Sequence, residues 1–257
     1  MKVVHNGESV KLSLTFADIS NVSKKFKDIA YDEHFNWSSI ATMFKLSASS
    51  KSNRNIIKCY GIIYNEAAIE NTYGDLDRYV DFLYNKERNP DRLDEMRALN
   101  VLSVFSDQYR TTRDDPEFMS KLSGGMVSCI VHIDKFIIQN ELRNKGYGRL
   151  IWSSLADLFA EYNLAARYMT TIVYPLNLND AYLWRPGTHA YDNMYRTMAG
   201  LIESIGFIPC TYNVMAWPGI IHIKQFNDRL PVSDEHKDVY NRNEHSIYAS
   251  IMNKNSE

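Results

Sequence analysis

Arg143-Asn144-Lys145-Gly146-Tyr147-Gly148 lies between an apolar stretch, residues 126–138, and an amphipathic one, residues 147–162, where a strand should turn into a helix. The first turn of a helix leaves backbone N–H groups without intrahelical partners and carries the positive end of the helix dipole. An anion placed there meets ready donors. Gly146 and Gly148 remove side chains that would stand between a ligand and the backbone, and Arg143 and Lys145 add charge beside the amides. With Asn144 and Tyr147 completing it, the loop suits a pyrophosphate. The same pattern also serves an ordinary strand-to-helix turn in other α/β domains.

Two common phosphate loops are excluded by spacing. A Walker loop needs Gly, four residues and then Gly-Lys-Ser/Thr, and no lysine-hydroxyl pair follows Gly146. A dinucleotide-binding turn needs three glycines and a ribose-binding acid about 20 residues on. Here there are two glycines, and Asp157 and Glu161 fall within the amphipathic stretch. The segment instead resembles motif A of the GCN5-related N-acetyltransferase (GNAT) superfamily. That motif is Gln/Arg-x-x-Gly-x-Gly/Ala between the fourth strand and the third helix, and Arg143, Gly146 and Gly148 match it. The likeness continues through a β-rich stretch at 168–174 to Leu201-Ile202-Glu203-Ser204-Ile205-Gly206-Phe207. That segment is similar to the family's Tyr-Glu-Lys-x-Gly-Phe ending of the fourth helix, with Gly206 as the stop. The resemblance covers residues 126–217. It implies an α/β (α+β) fold, a central mixed, mostly antiparallel sheet flanked by helices, in one acyltransferase domain over residues 1–257.

Composition is that of an ordinary globular protein, 257 residues with 45% hydrophobic content and a net charge of −2. The near balance of charge argues against a whole-surface footprint for nucleic acid. Cys59, Cys129 and Cys210 lie far apart and outside any Cys-x-x-Cys pattern. This speaks against a disulfide framework or a zinc site and for a reducing, cytoplasmic setting. Residues 1–8 lack the apolar core of a signal peptide, and no apolar run approaches the ~20 residues of a membrane span.

Elsewhere, residues 11–16 alternate like a first strand, and Asp18 or Ser20 can cap a helix carrying Val22, Phe26, Ile29 and Ala30. Residues 55–64 read as a central strand. Residues 66–97 are helix-favouring, with a stripe of Leu76, Tyr79, Val80, Leu83 and Tyr84 that Pro90 interrupts, and read as a helical insertion that serves as a substrate wall or as extra packing. Residues 1–60 hold nine basic against five acidic residues, net +4, and residues 66–97 hold five against nine, net −4. An acidic segment beside an acceptor site would attract a protonated amine; a solvated helix face has the same composition.

The resemblance implies acetyl transfer from acetyl-coenzyme A to an amine on a small molecule or a protein. It implies that the strand before the loop splays from its neighbour and holds the pantetheine arm through main-chain groups, for which Ile137 and Ile138 are the candidates. A count back from the motif places His132 where histone-acetylating members carry a glutamate base. An imidazole there can accept a proton at neutral pH, and Asp134, two residues on, is expected to share its face and to orient it or act instead. Many members use ordered water. The family's general acid, a tyrosine five residues before the Phe of Gly-Phe, is replaced by Ile202, leaving Tyr195 or Tyr191 as substitutes. The family's pantetheine-binding Asn corresponds to Asn177 or Asn179, and residues 183–191 form a candidate lid. Three functions fit. The first is an N-acetyltransferase, and the second a non-catalytic cofactor-binding or interaction module favoured by Ile202. The third is an acyltransferase acting on nucleic acid, as in some phages, suggested by the basic N-terminal region and its aromatics.

Overall fold

Asn6 and Gly7 both take the left-handed conformation, φ 49° and 78°, that a two-residue hairpin turn demands. They join β1 (Lys2–His5) to β2 (Glu8–Ala17) as an antiparallel pair. The strand read at 11–16 is therefore the second of the sheet, and the Asn-Gly pair was the signal for the first. The computed structural model describes residues 1–17, 40–86, 93–106, 129–162, 166–173, 188–214 and 217–225. The helix expected after Asp18 lies outside them.

β3 (Ala41–Ser50) escaped the sequence reading, although Phe44, Leu46 and Ala48 are buried and Lys45, Ser47 and Ser49 between them are not. Its serines dilute a regular period of two. β4 (Ile57–Asn65) is the central strand expected from residues 55–64, buried along nearly its whole length. Asn65 then accepts from the Ala68 N–H (3.2 Å) and caps α1 (Glu66–Tyr73). α2 (Leu76–Lys86) and α3 (Leu93–Leu102) follow, so the segment read as helical is helical through its described residues; 87–92, Pro90 among them, lie outside these. Of the α2 stripe, Tyr79, Val80 and Leu83 are buried and Tyr84 is exposed.

β5 (Cys129–Ile138) leads through the Arg143–Gly148 loop into α4 (Tyr147–Glu161) and back to β6 (Ala166–Thr171). α4 is a crossover helix, so β5 and β6 run parallel, the sheet's one such pair among the described strands. α5 (His189–Glu203), β7 (Ile208–Val214) and β8 (Trp217–Gln225) complete a mixed, mostly antiparallel sheet of order β1-β2-β3-β4-β5-β6-β8-β7. One face buries Tyr60, Ile62, Ile130 and Tyr168 under α1, α2 and α3, through Ile69, Tyr79, Leu83, Leu99 and Leu102. The other buries Phe44, Leu46, Val131 and Ile133 under α4 and α5, through Ile151, Leu155, Phe159, Tyr195 and Ile202.

α5 ends as Gly206 was expected to end it. Gly206 has φ 95°, its N–H donates to Glu203 O (2.9 Å), and the Phe207 N–H donates back to Ile202 O (3.2 Å). This is a Schellman cap, which pairs Phe207 with Ile202 in the same core. Ile202 is thus an apolar partner of the cap.

Candidate functional site

The β5–β6 pairing runs only from Cys129↔Ala166 to Ile133↔Thr171, whereas β5 stays paired to β4 as far as Ile138↔Ile57. Among the described residues, the half of β5 from Asp134 to Ile138 has a strand on one side and none on the other. The Gln139 N–H donates to Ile56 O (3.1 Å) and so turns toward β4, while the Ile56 N–H donates to Ala48 O (2.9 Å). By the alternation of an extended strand, Ile137 turns its groups toward Lys58, while Phe136 and Ile138 turn their N–H and C=O groups toward the open side, where Ile138 O accepts from Arg143. Of the two residues singled out from the sequence, Ile138 therefore offers main-chain groups there and Ile137 directs its own into the ladder. Phe136 was missed, because ladder parity is invisible in the sequence.

A bulge marks where the opening begins. Tyr60 opposes Lys135 and Gly61 opposes Ile133, so Asp134 is the residue that the bulge inserts. Gly61 makes this possible: a Cβ on it would lie 2.2 Å from His132 O and 2.4 Å from Phe44 Cζ. The bulge also interrupts the alternation. The β5 residues on the α4/α5 face are Val131 and Ile133 before Asp134, and Phe136 and Ile138 after it. The inserted Asp134 is in step with neither Tyr60 nor Gly61 across the ladder. Its charge bears on Cys59, buried with the α4/α5 face, whose thiol pKa is pushed up chiefly by burial and further by Asp134.

His132 lies between Val131 and Ile133 and so faces the α1–α3 layer with Ile130. It is 2% exposed, and its Nδ1 is 3.0 Å from Thr170 Oγ1 on β6. Tyr195, on α5, is buried in the opposite layer beside Ile202. The candidate base and the candidate acid thus stand on opposite faces of the sheet. Tyr191 is partly buried near Tyr195. Asn177, Asn179 and most of the candidate lid, residues 183–187, lie outside the described residues.

At the end of β5 the chain makes one 3-10 turn (Asn140–Leu142) and enters the loop. Asn144 (φ 58°) and Gly146 (φ 84°) both adopt left-handed backbone. The first helical bond of α4 is Leu150 N–H to Gly146 O (3.1 Å). Among the described residues, the N–H groups from Asn144 to Arg149 have no backbone acceptor, and Arg143, Asn144, Lys145 and Gly146 are exposed. The Arg143 Nε donates to Ile138 O (3.1 Å), which ties the loop's cation to the last open carbonyl of β5. Arg149 donates to Ser204 Oγ (3.0 Å) and joins the start of α4 to the end of α5. Gly148 lies close to α5: a Cβ there would meet Leu201 Cδ2 at 3.4 Å, an ordinary van der Waals contact. Tyr147 is buried and packs on His5, ring centroids 4.4 Å apart.

Among the described residues, no helix is long and apolar enough to cross a membrane and no group of His, Cys, Asp or Glu could hold a metal ion. No family model and no curated protein matches the chain. Solved structures similar to it include the following two. Arylalkylamine N-acetyltransferase 2 from Aedes aegypti is 12% identical over 71% of this chain and 73% of its own, with a TM-score of 0.37. A Drosophila melanogaster polyamine N-acetyltransferase that forms N-acetylagmatine is 8% identical over 84% of this chain and 100% of its own, with a TM-score of 0.39.

Proposed function

We propose that the chain is an N-acetyltransferase of the GCN5-related superfamily that moves an acetyl group from acetyl-coenzyme A to an amine. One observation carries the reading: the half of β5 that lacks a β6 neighbour runs directly into a loop of unpartnered amides at the start of α4. An extended amide-bearing arm ending in a pyrophosphate has that sequence of needs, main-chain partners first and anion donors next. Phe136 and Ile138 would hold the arm. The amides of residues 144–149, with Arg143 and Lys145, would hold the phosphates.

The two faces divide the chemistry. The α1–α3 layer carries exposed acids such as Glu70 and Asp75 on the side toward which His132 points, so the protonated amine would arrive from that side. His132 would take its proton. That role requires the tautomer in which Nδ1–H donates to Thr170 Oγ1 and Nε2 accepts. Asp134, the first residue beyond the last β5–β6 pair, is the competing base. From the α5 side, Tyr195 would protonate the departing thiolate. Ile202, where the family carries its acid, favours a second reading in which the fold binds the cofactor without turnover.

A thiol-release assay with acetyl-coenzyme A across small amines, polyamines, peptides and nucleic acids tests the proposal. Release that depends on an amine supports it. Coenzyme A binding without release on any acceptor would favour the non-catalytic module, and no binding at all would overturn both.

A further inference from the structure

We infer that the tip of the N-terminal hairpin is a wall of the phosphate loop, and that His5 is the positioning residue that turns the loop's amides toward the phosphate end of coenzyme A; this rests on the acetyltransferase reading. Three contacts converge on one imidazole. His5 Nε2 is 2.7 Å from Lys145 O, its ring packs on Tyr147, and its Cε1 would lie 3.0 Å from a Cβ on Gly146. A carbonyl only accepts, so Nε2 carries the hydrogen and donates to Lys145 O, and Asn6 Nδ2, itself a donor 3.3 Å from the same nitrogen, does not bond to it.

The consequence follows from the planarity of the peptide group. The C=O of Lys145 and the N–H of Gly146 belong to one trans peptide and point in opposite directions. By holding the Lys145 carbonyl toward the hairpin, His5 directs the Gly146 N–H away from it, toward the loop's open side. It also removes from the phosphates a carbonyl that would repel them. The left-handed residues on either side, Asn144 and Gly146, give this peptide no regular helix or strand ladder to fix its orientation. Gly146 is thereby required twice, for its φ of 84° and for the space His5 occupies.

The test compares wild type, His5→Ala and His5→Gln, whose side-chain amide can still donate to Lys145 O. Each is titrated calorimetrically with coenzyme A and with pantetheine, which carries the arm and no phosphate. His5→Ala should weaken coenzyme A binding by ~10-fold, leave pantetheine binding unchanged, and be largely rescued by His5→Gln. Unchanged coenzyme A affinity in His5→Ala would overturn the assignment. An equal loss for both ligands would also overturn it, because that is what general loosening of the hairpin produces. A wild type that binds neither ligand would overturn the acetyltransferase reading on which the inference stands.

Discussion

Arg143 is exposed, yet its Nε is committed to Ile138 O, so the side chain joins the end of β5 to the loop before α4 while the rest of its guanidinium stays on the exposed side. Arg143→Ala is expected to raise the dissociation constant for coenzyme A by ~10-fold or more, as the loss of a charge-assisted hydrogen bond does, with little change in unfolding temperature. Titration calorimetry beside a melting curve checks both halves. His132 carries a different expectation. His132→Gln keeps a partner for Thr170 but removes the basic nitrogen, so turnover should fall ~10²-fold while coenzyme A affinity stays near wild type. A pH–rate profile left intact by that change would move proton removal to Asp134 or to water. The residues of the loop were legible in the sequence because amides, glycines and cations adjacent in the chain stay adjacent in space. The closeness of Gly148 to Leu201 was not legible, for the opposite reason, since the two are remote in sequence.

At the scale of elements, the bulge on β5 is what separates the paired half of the strand from the open half, and Gly61 on β4 permits it. Gly61→Ala would drive a methyl into the His132 carbonyl, which is backbone and cannot rotate away. We expect destabilisation of about 1–3 kcal/mol in denaturant unfolding, as overpacking of a core typically costs. A neutral result would mean that the bulge relaxes freely. Helix α5 is held at both ends, by Thr188 accepting from the Tyr191 N–H (3.2 Å) and by the cap at Gly206. Tyr195 is thus presented from a fixed helix. Tyr195→Phe should retain the packing and lower product formation by ~10²-fold. Full activity would instead mean that the thiolate leaves unassisted, as a thiol pKa near ~8.5 allows. The helix stop at Gly206 could be read from the sequence, because a left-handed cap is a local conformational need. β3 could not easily be read, because its buried positions are interleaved with serines and its place was settled by pairing with β2 and β4.

For the whole molecule, a ligand that bridges β5 and α4 stabilises the folded chain by mass action. Coenzyme A at ~100 times its dissociation constant should add about 2.7 kcal/mol, a rise of several degrees in a thermal scan, and Arg143→Ala at the same ligand concentration should lose part of that rise. No shift in wild type would remove the binding claim. Read on its own, the sequence determined the strand–loop–helix unit around Arg143 to Gly148, the helical character of residues 66–86, the central strand and the end of α5. Each rests on backbone preferences and side-chain periods that act over a few neighbouring residues. Only the tertiary structure decided that β6 leaves β5 after Ile133, that Asp134 sits on a bulge, that His132 and Tyr195 stand on opposite faces, and that His5 meets a carbonyl 140 residues away. Those outcomes depend on which strands become neighbours and where their pairing stops. They are set by contacts between distant segments, for which the local pattern of residues carries no signal.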